Sequence, residues 1–532
     1  MNLHTPRQRI FAGMLHLPLV LLPKIALCIA DARTFFDFLQ AMGTADVRGP
    51  LEALWQLGLD FNRTDLWPKL VLTEEIMRRA ESRGWVEAIM LFYATVAVAC
   101  TDDLAWLRRH LTPQTMVEWA TDIPSWTEHF YDEPHLAAWI TQWAGLPLVT
   151  ISDHQHRNLS EFSDFFPAYV YPEIAQYVRA VLPHCQHLMH VQLAGYTHAS
   201  SIFELAATST NLVVLKVSFA TYFEPFHQHT RVIVAPEDAD GMLSWLQATA
   251  VEAFYLDCWE FATTVPDAVQ DAVYNAMMTC PTLRQLALSN CNLHGRLVLP
   301  MQSLSSSMLE LKLHSCRLAP SDLHALAAAL PQSSLHRLHL CNIDYDDRTW
   351  TDAYVCAFEC LVSAVVHSSV TILALEKCQR HWRKSQWYRL VPCLRDARLV
   401  SLSLAHNYMS NQDYADIVHL VHSHATLRHL NVAFTKMKIE LHWVAALLAD
   451  ATTVHVAQAI QVDVADRNRC YSCPPPTAIA IARWEATLLS CTARQRVRLE
   501  TLDVRCTMPS RLDKSMTQLR TLAHRCGTQL MI

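Results

Sequence analysis

Residues 283–293, with the sequence LRQLALSNCNL, contain the spacing that decides the fold. Apolar side chains fall at Leu283, Leu286 and Leu288, and Cys291 occupies the ninth place. The first, fourth and sixth places combine a turn with a short alternating strand, so all three leucines can enter one core. A cysteine, asparagine or threonine at the ninth place can satisfy main-chain groups where the chain leaves the strand. The stretch therefore predicts one short strand of a repeated unit.

The same spacing recurs along most of the chain. Three clear copies carry Cys316, Asn407 and Thr435 at the ninth place, and the remaining copies are degenerate. Besides the first, copies begin at Leu188, Leu212, Val251, Met308, Leu335, Val370, Leu399, Leu427 and Leu499. Their starts lie between 24 residues (188 to 212) and 39 residues (212 to 251) apart in the run from 188 to 427. Apolar residues at three- and four-residue steps fill the intervals, so each unit is predicted to hold a strand and a helix.

These copies resemble the leucine-rich-repeat family, in its helix-containing ribonuclease-inhibitor-like and cysteine-containing subtypes. The resemblance covers roughly residues 188–505. It implies an α/β solenoid with a curved parallel sheet on the concave side and helices outside. An ordinary α/β domain with leucines in its buried strands is the alternative.

The composition excludes several classes of function. The 532 residues include only ten glycines, which leaves no glycine-rich phosphate loop and no dinucleotide turn. The nucleophile elbow and the HExxH zinc motif are also absent. A formal net charge of −7 argues against a nucleic-acid binder. The predicted function is non-catalytic protein binding without a cofactor.

Seventeen cysteines without regular pairing indicate reduced thiols and a cytoplasmic or nuclear protein. Two clusters leave a metal site open as an alternative. One is the pair Cys470 and Cys473, which lacks a second pair. The other comprises His184, Cys185, His187 and His190, and zinc bound there is the one enzymatic alternative.

The N-terminal segment carries a second pattern, an apolar stretch that begins with a Leu-Pro pair and is followed by phenylalanines. It resembles the opening of an F-box, in which a short helix docks on the Skp-type adaptor of a cullin–RING ubiquitin ligase. Two departures are Val20, where the family has an acidic residue, and Pro23 within the proposed helix. The residues that the resemblance assigns to adaptor binding are Leu17, Pro18, Leu21, Leu22, Ile25, Ile29 and Phe35.

Three domains follow from these patterns: an F-box-like helical segment (1–59), a helical linker or cap (60–145) and the repeat domain (146–532). Stretches 88–100 and 134–143 are the predicted apolar helices of the linker. The alternative for the N-terminus is a helical cap of the solenoid, which would make the chain a scaffold or an inhibitor. A signal peptide is a further alternative, but His16, Pro18, Pro23 and Lys24 interrupt the apolar stretch. No segment is predicted to span a membrane.

Residues between the buried leucines are predicted to face outward on the concave side and to bind a protein target. This surface mixes charges of both signs and gives no uniform field for nucleic acid. An exception is the stretch 379–389, where tryptophans alternate with arginines and nucleic acid is the alternative. The predicted partner-binding residues are Tyr255, Asp257, Gln285, Glu310, Lys312, His314, Arg337, His339, Glu376, His429 and Asn431.

Overall fold

The computed structural model describes the chain in two units, residues 1–232 and 233–532. The described residues are 21–100, 103–121, 133–152, 181–196, 199–219, 231–297, 304–343, 352–378, 387–407, most of 409–431, 460–463, 499–503 and 529–531. None of the helices within these ranges is long and apolar enough to cross a membrane.

The first unit begins with helices alone. They are α1 Leu21–Leu27, α2 Ala32–Met42, α3 Ala45–Arg48, α4 Glu52–Asp60 and α5 Arg63–Leu66. Asp31 begins α2 because its carboxylate accepts a hydrogen bond from the Thr34 N–H at 2.7 Å. Gly43 ends α2 with a φ of 84°, which a residue without a Cβ adopts freely. These elements agree with the predicted α-helical N-terminal segment.

Aromatic side chains hold this helical segment together. Phe35 is fully buried and stacks on Trp67, with ring centroids 4.2 Å apart. The Trp67 indole N–H donates to the Ile29 carbonyl, and the Tyr93 hydroxyl donates to the Leu66 carbonyl. Trp67 thus covers the ring of Phe35, one of the residues predicted to contact an adaptor, and that contact stays a prediction.

Strands follow much earlier in the first unit than the sequence analysis predicts. The remaining elements are β1 Leu70–Leu72, α6 Glu74–Arg78, α7 Ala80–Ile89, β2 Thr95–Val98, α8 Leu104–His110, β3 Met116–Trp119, α9 Glu133–Ala144, β4 Leu148–Ser152, β5 His190–Tyr196, α10 Ala199–Thr208 and β6 Val214–Phe219. Each of these strands pairs in parallel with the next.

The helical prediction for residues 60–145 is therefore wrong for β1, β2 and β3. In particular, helix α7 ends at Ile89, near the start of the predicted helix 88–100. The β-branched residues Thr95, Val96 and Val98 form strand β2 instead. The predicted helix 134–143 is present as α9.

The second unit repeats the strand–helix alternation. Its elements are β7 Val232–Val234, α11 Pro236–Ala248, β8 Ala253–Asp257, β9 Trp259–Phe261, α12 Asp267–Thr279, β10 Gln285–Ser289, β11 Glu310–His314, α13 Pro320–Ala329, β12 Arg337–Cys341, α14 Asp352–Val366, β13 Ile372–Glu376, α15 Trp387–Leu390, β14 Ser401–Ser403, β15 His429–Asn431, β16 Ile460–Asp463, β17 Leu499–Asp503 and β18 Gln529–Met531. Strand β8 pairs in parallel with β10, and from β10 to β18 each strand pairs in parallel with the next.

Leucines line up across these strands. The residue opposite Leu286 is Leu311, and the same row continues through Leu338, Leu373, Leu402 and Leu430. Each of these side chains is at most 1% exposed. Burial of one leucine stabilises a fold by about 2 kcal/mol, so the row is a main source of stability. The predicted register of the repeat is confirmed.

The chain leaves successive strands by the same kink. Residues directly after β8, β10, β11, β12 and β13 have φ between 51° and 57°, although none of them is glycine. Each of their N–H groups donates to the main chain of the neighbouring repeat, as from Asn290 to His314 and from Asn342 to Glu376. The left-handed residues thus extend each ladder by one hydrogen bond beyond the strand. They are Cys258, Asn290, Ser315, Asn342 and Lys377.

Ninth-place side chains satisfy the main chain next to this kink. The Cys316 and Cys378 thiols donate to the carbonyls of Leu288 and Leu340, at 3.2 and 3.1 Å. The fully buried Asn407 donates to the Leu375 carbonyl and accepts from the Cys378 N–H at 2.9 Å. The predicted role of this position is confirmed.

A buried carboxylate joins two consecutive repeats. Asp322, in the first turn of α13, is 1% exposed and accepts the N–H of Ala319 at 2.6 Å. It also accepts the N–H groups of Gly295 and Leu297 from the preceding repeat, at 2.9 and 3.0 Å. Asp322 therefore caps its own helix and fixes the loop of the neighbouring repeat.

Candidate partner-binding surface

The alternate positions of the second unit's strands form a surface opposite the leucine row. We call it the polar face and define it by three rows. They are Ala253, Gln285, Glu310, Arg337, Ile372, Ser401 and His429; then Tyr255, Ala287, Lys312, His339, Ala374, Ser403 and Asn431; and last Asp257, Ser289, His314, Cys341 and Glu376. Every predicted partner-binding residue lies in one of these rows.

Carboxylates in the last row are already hydrogen-bonded. Asp257 accepts from the Asn290 side-chain amide at 2.7 Å, and Glu376 accepts from the Ser403 hydroxyl. The Cys341 thiol lies 4.0 Å from the second oxygen of Glu376. Burial, reinforced by this carboxylate, raises the pKa of Cys341 to about 12, so the thiol is neutral at physiological pH. These groups form a fixed polar edge rather than a set of mobile charges.

Both histidines at the centre of the polar face are held neutral. Burial lowers the pKa of His314 despite the nearby carboxylates of Asp257 and Glu376. Burial also lowers the pKa of His339, and the neighbouring Lys312 ammonium adds to this effect. Neutral imidazole offers one hydrogen-bond donor and one acceptor. His339 Nε2 is buried and has no hydrogen-bond partner among the residues that the structure describes.

Cations at the centre are more accessible than the anions. The Lys312 side chain is 46% exposed, whereas that of its ion-pair partner Glu310, 2.8 Å away, is 11% exposed. Arg337, opposite Glu310 in the register, is exposed as well. Burial, with a contribution from Asp257, raises the pKa of Tyr255, whose phenol therefore stays protonated. The polar face thus presents two exposed cations beside the exposed Gln285 and His314, whereas its carboxylates are wholly or partly buried.

Alternation predicts Ser289 and Ser403 on this surface together with its charged members. It misses Cys341, which belongs to the same rows and stands two places after His339. The contacts of these residues could not be read from the spacing.

The predicted adaptor-binding residues are only partly described. Leu17 and Pro18 lie outside the described residues, and Leu21 and Leu22 are described only as the start of α1. Ile25 on α1 is 41% exposed, and Ile29 is half-buried.

The two cysteine clusters are the candidate metal sites of the sequence. No group of three or more histidine, cysteine or carboxylate side chains is placed to hold a metal ion in the part of the chain that the structure describes. Burial raises the pKa of Cys185 to about 11, which opposes the thiolate that zinc requires. Cys470 and Cys473 lie outside the described residues.

The parallel register and buried leucine rows define a leucine-rich-repeat solenoid. No protein-family model matches the chain, and no curated protein matches its sequence. Among solved structures, a chain from the "Crystal structure of mouse RP105/MD-1 complex" is similar, with 9% identity, a TM-score of 0.29 and coverage of 84% of this chain and 80% of that chain. The assignment of the fold therefore rests on the repeat itself and not on this similarity.

Proposed function

We propose that this chain is a non-catalytic protein-interaction module that binds a partner protein on its polar face. The supporting observation is the alignment of polar side chains in rows across adjacent strands, with Lys312 and Arg337 exposed at their centre. Such a surface has many fixed hydrogen-bonding groups and small residues between them. It is suited to a folded protein or peptide of mainly acidic surface.

Charge distribution favours a protein over nucleic acid. A nucleic-acid site needs a row of cations along a phosphate backbone. Here the cations Lys312 and Arg337 alternate with the carboxylates of Asp257, Glu310 and Glu376. Protein interfaces commonly combine such mixed polar groups, and a few central residues contribute most of the affinity.

Truncation of both central cations tests this surface. The double variant Lys312→Ala/Arg337→Ala is expected to lose about tenfold or more in affinity for its protein partner. Partners are identified by affinity purification with mass spectrometry, and the dissociation constant of each is then measured by calorimetry.

Arg395 and Arg398 provide the matched control. Both are exposed and lie in the connection before β14 rather than on the polar face. The variant Arg395→Ala/Arg398→Ala removes the same charge and is expected to bind like the wild type. Equal losses in the two double variants, or no loss in either, would place the interface elsewhere.

The N-terminal helices carry the finer part of the proposal, in which the chain is an F-box-type substrate receptor that recruits a Skp-type adaptor and its cullin complex. Helices α1 and α2 support it because the first leaves Ile25 exposed. An exposed isoleucine beside a buried helical core is a suitable anchor for an apolar groove.

Replacement of Ile25 by aspartate is expected to abolish adaptor binding, since a carboxylate cannot enter an apolar interface without a partner. Leu59→Asp is the control, because Leu59 is 56% exposed on α4 of the same helical segment. Pull-down of a purified Skp-type adaptor is the measurement. Absence of binding by the wild type, or equal binding by Ile25→Asp, contradicts the adaptor proposal.

One observation favours the alternative of a scaffold or inhibitor whose helices only cap the repeats. Phe35, Trp67 and Tyr93 form a continuous aromatic contact between the helical segment and the region around β1. A cap requires this contact and no adaptor. The same pull-down separates the two functions, because the partner on the polar face is bound in either case.

A further inference from the structure

A cleft in the first unit is lined in part by His184, Cys185 and His187 and by none of the residues of the polar face. It has a volume of about 520 Å³ and is formed by three connections that lead into consecutive strands. Residues 111–113 precede β3, residues 144–147 precede β4, and residues 184–187 precede β5. Because the strands are parallel, the three connections meet at one edge of the sheet. Its volume is within the range of small-ligand and peptide sites.

The ionisable side chains that line this cleft are mainly basic. Arg108, His184 and His187 line it, and no carboxylate does among the described residues. All three side chains are exposed. Arg108 forms no ion pair with any residue that the structure describes, unlike Arg83 and Arg48 in the same unit. The remaining titratable group, Cys185, has its pKa raised to about 11 by burial and is therefore neutral.

Gly145 lies beside the guanidinium of Arg108. A Cβ atom at this position would lie 3.9 Å from Arg108 Cζ, an ordinary van der Waals distance. The wall next to it is apolar, with Pro113, Leu146 and Pro147. The cleft thus combines one permanent positive charge, two histidine side chains and an apolar wall.

We propose that this cleft binds an acidic peptide segment, in which a carboxylate or phosphate pairs with Arg108 and an adjacent apolar residue lies against the prolines. Arginine binds both anions through paired N–H donors, and the two histidines supply further donors. A single arginine does not match the repeating charge of nucleic acid. The apolar wall gives a peptide an advantage over a free anion.

Fluorescence anisotropy of the full chain with labelled peptides tests the proposal. The probes are short peptides that place phosphoserine, glutamate or serine between two leucines. We expect the phosphoserine and glutamate peptides to bind and the serine peptide to bind roughly tenfold more weakly, because it lacks the charge-assisted hydrogen bonds. Arg108→Gln is expected to reduce binding of the two anionic peptides to the level of the serine peptide.

Arg109→Gln is the matched control, since Arg109 is the next residue of α8, is exposed and does not line the cleft. It is expected to bind like the wild type. Inorganic phosphate is added as a competitor to distinguish a peptide from a free anion. Equal affinity for the serine peptide, equal loss in Arg109→Gln, or displacement by inorganic phosphate at the concentration of the peptide overturns the proposal.

Discussion

Replacement of Leu311 by alanine is expected to lower the free energy of unfolding by about 3 kcal/mol. Leu311 is fully buried and lies between Leu286 and Leu338 in the leucine row. The loss combines the transfer free energy of the removed atoms with the cavity that they leave, because neighbouring strands cannot close over it without breaking their register. Urea denaturation followed by circular dichroism measures the change.

Leu309 is a control of the same residue type two places earlier. It is 39% exposed and lies just before β11. Leu309→Ala is expected to change the free energy of unfolding by less than about 0.5 kcal/mol. If the two variants are equally stable, Leu311 does not contribute to the core as its burial in the leucine row implies.

Asp322→Ala is expected to destabilise the second unit by about 2 kcal/mol. Three main-chain N–H groups lose their acceptor, and two of them belong to the preceding repeat. Burial raises the pKa of Asp322 in spite of these donors, so desolvation offsets part of what they contribute. Asp322→Asn keeps one side-chain oxygen as an acceptor and is expected to lose less.

Asp352→Ala tests whether the effect belongs to this carboxylate or to any acidic residue at a helix start. Asp352 is exposed and occupies the first turn of α14. Its removal is expected to lower the free energy of unfolding by less than about 0.5 kcal/mol, the usual magnitude for an exposed charge near a helix N-terminus. Comparable losses at both positions in urea denaturation would mean that Asp322 acts only through its charge.

The repeat could be predicted from the sequence because its side chains obey a local rule. The repeats that contain β10 and β11 carry the full spacing from first to ninth place, and each residue of the motif has one structural role. Strands β1 and β2 escaped prediction because they are only three and four residues long. An apolar run such as 88–100 fits a buried helix as well as a strand, and only its β-branched residues favour the strand.

For the candidate site, the sequence predicts which residues share a surface but not their electrostatic environment. Alternation places Lys312 and His339 on one surface, because the period of a strand is two. The pKa of His339 depends on neighbours from other repeats, and these neighbours become known only from the register. The burial of Phe35 could not be predicted from local spacing, because Trp67, which covers its ring, lies beyond three further helices in the sequence.

The left-handed residue directly after β8, β10, β11, β12 and β13 allows the connections between these strands to differ in length. From Asn290 the chain returns to the next strand at Glu310, whereas from Asn342 it returns only at Ile372. Since the exit is identical in both cases, the length of the return path is decoupled from the geometry of the sheet. Whole connecting segments can thus be exchanged between repeats without a change in the register of the strands on either side.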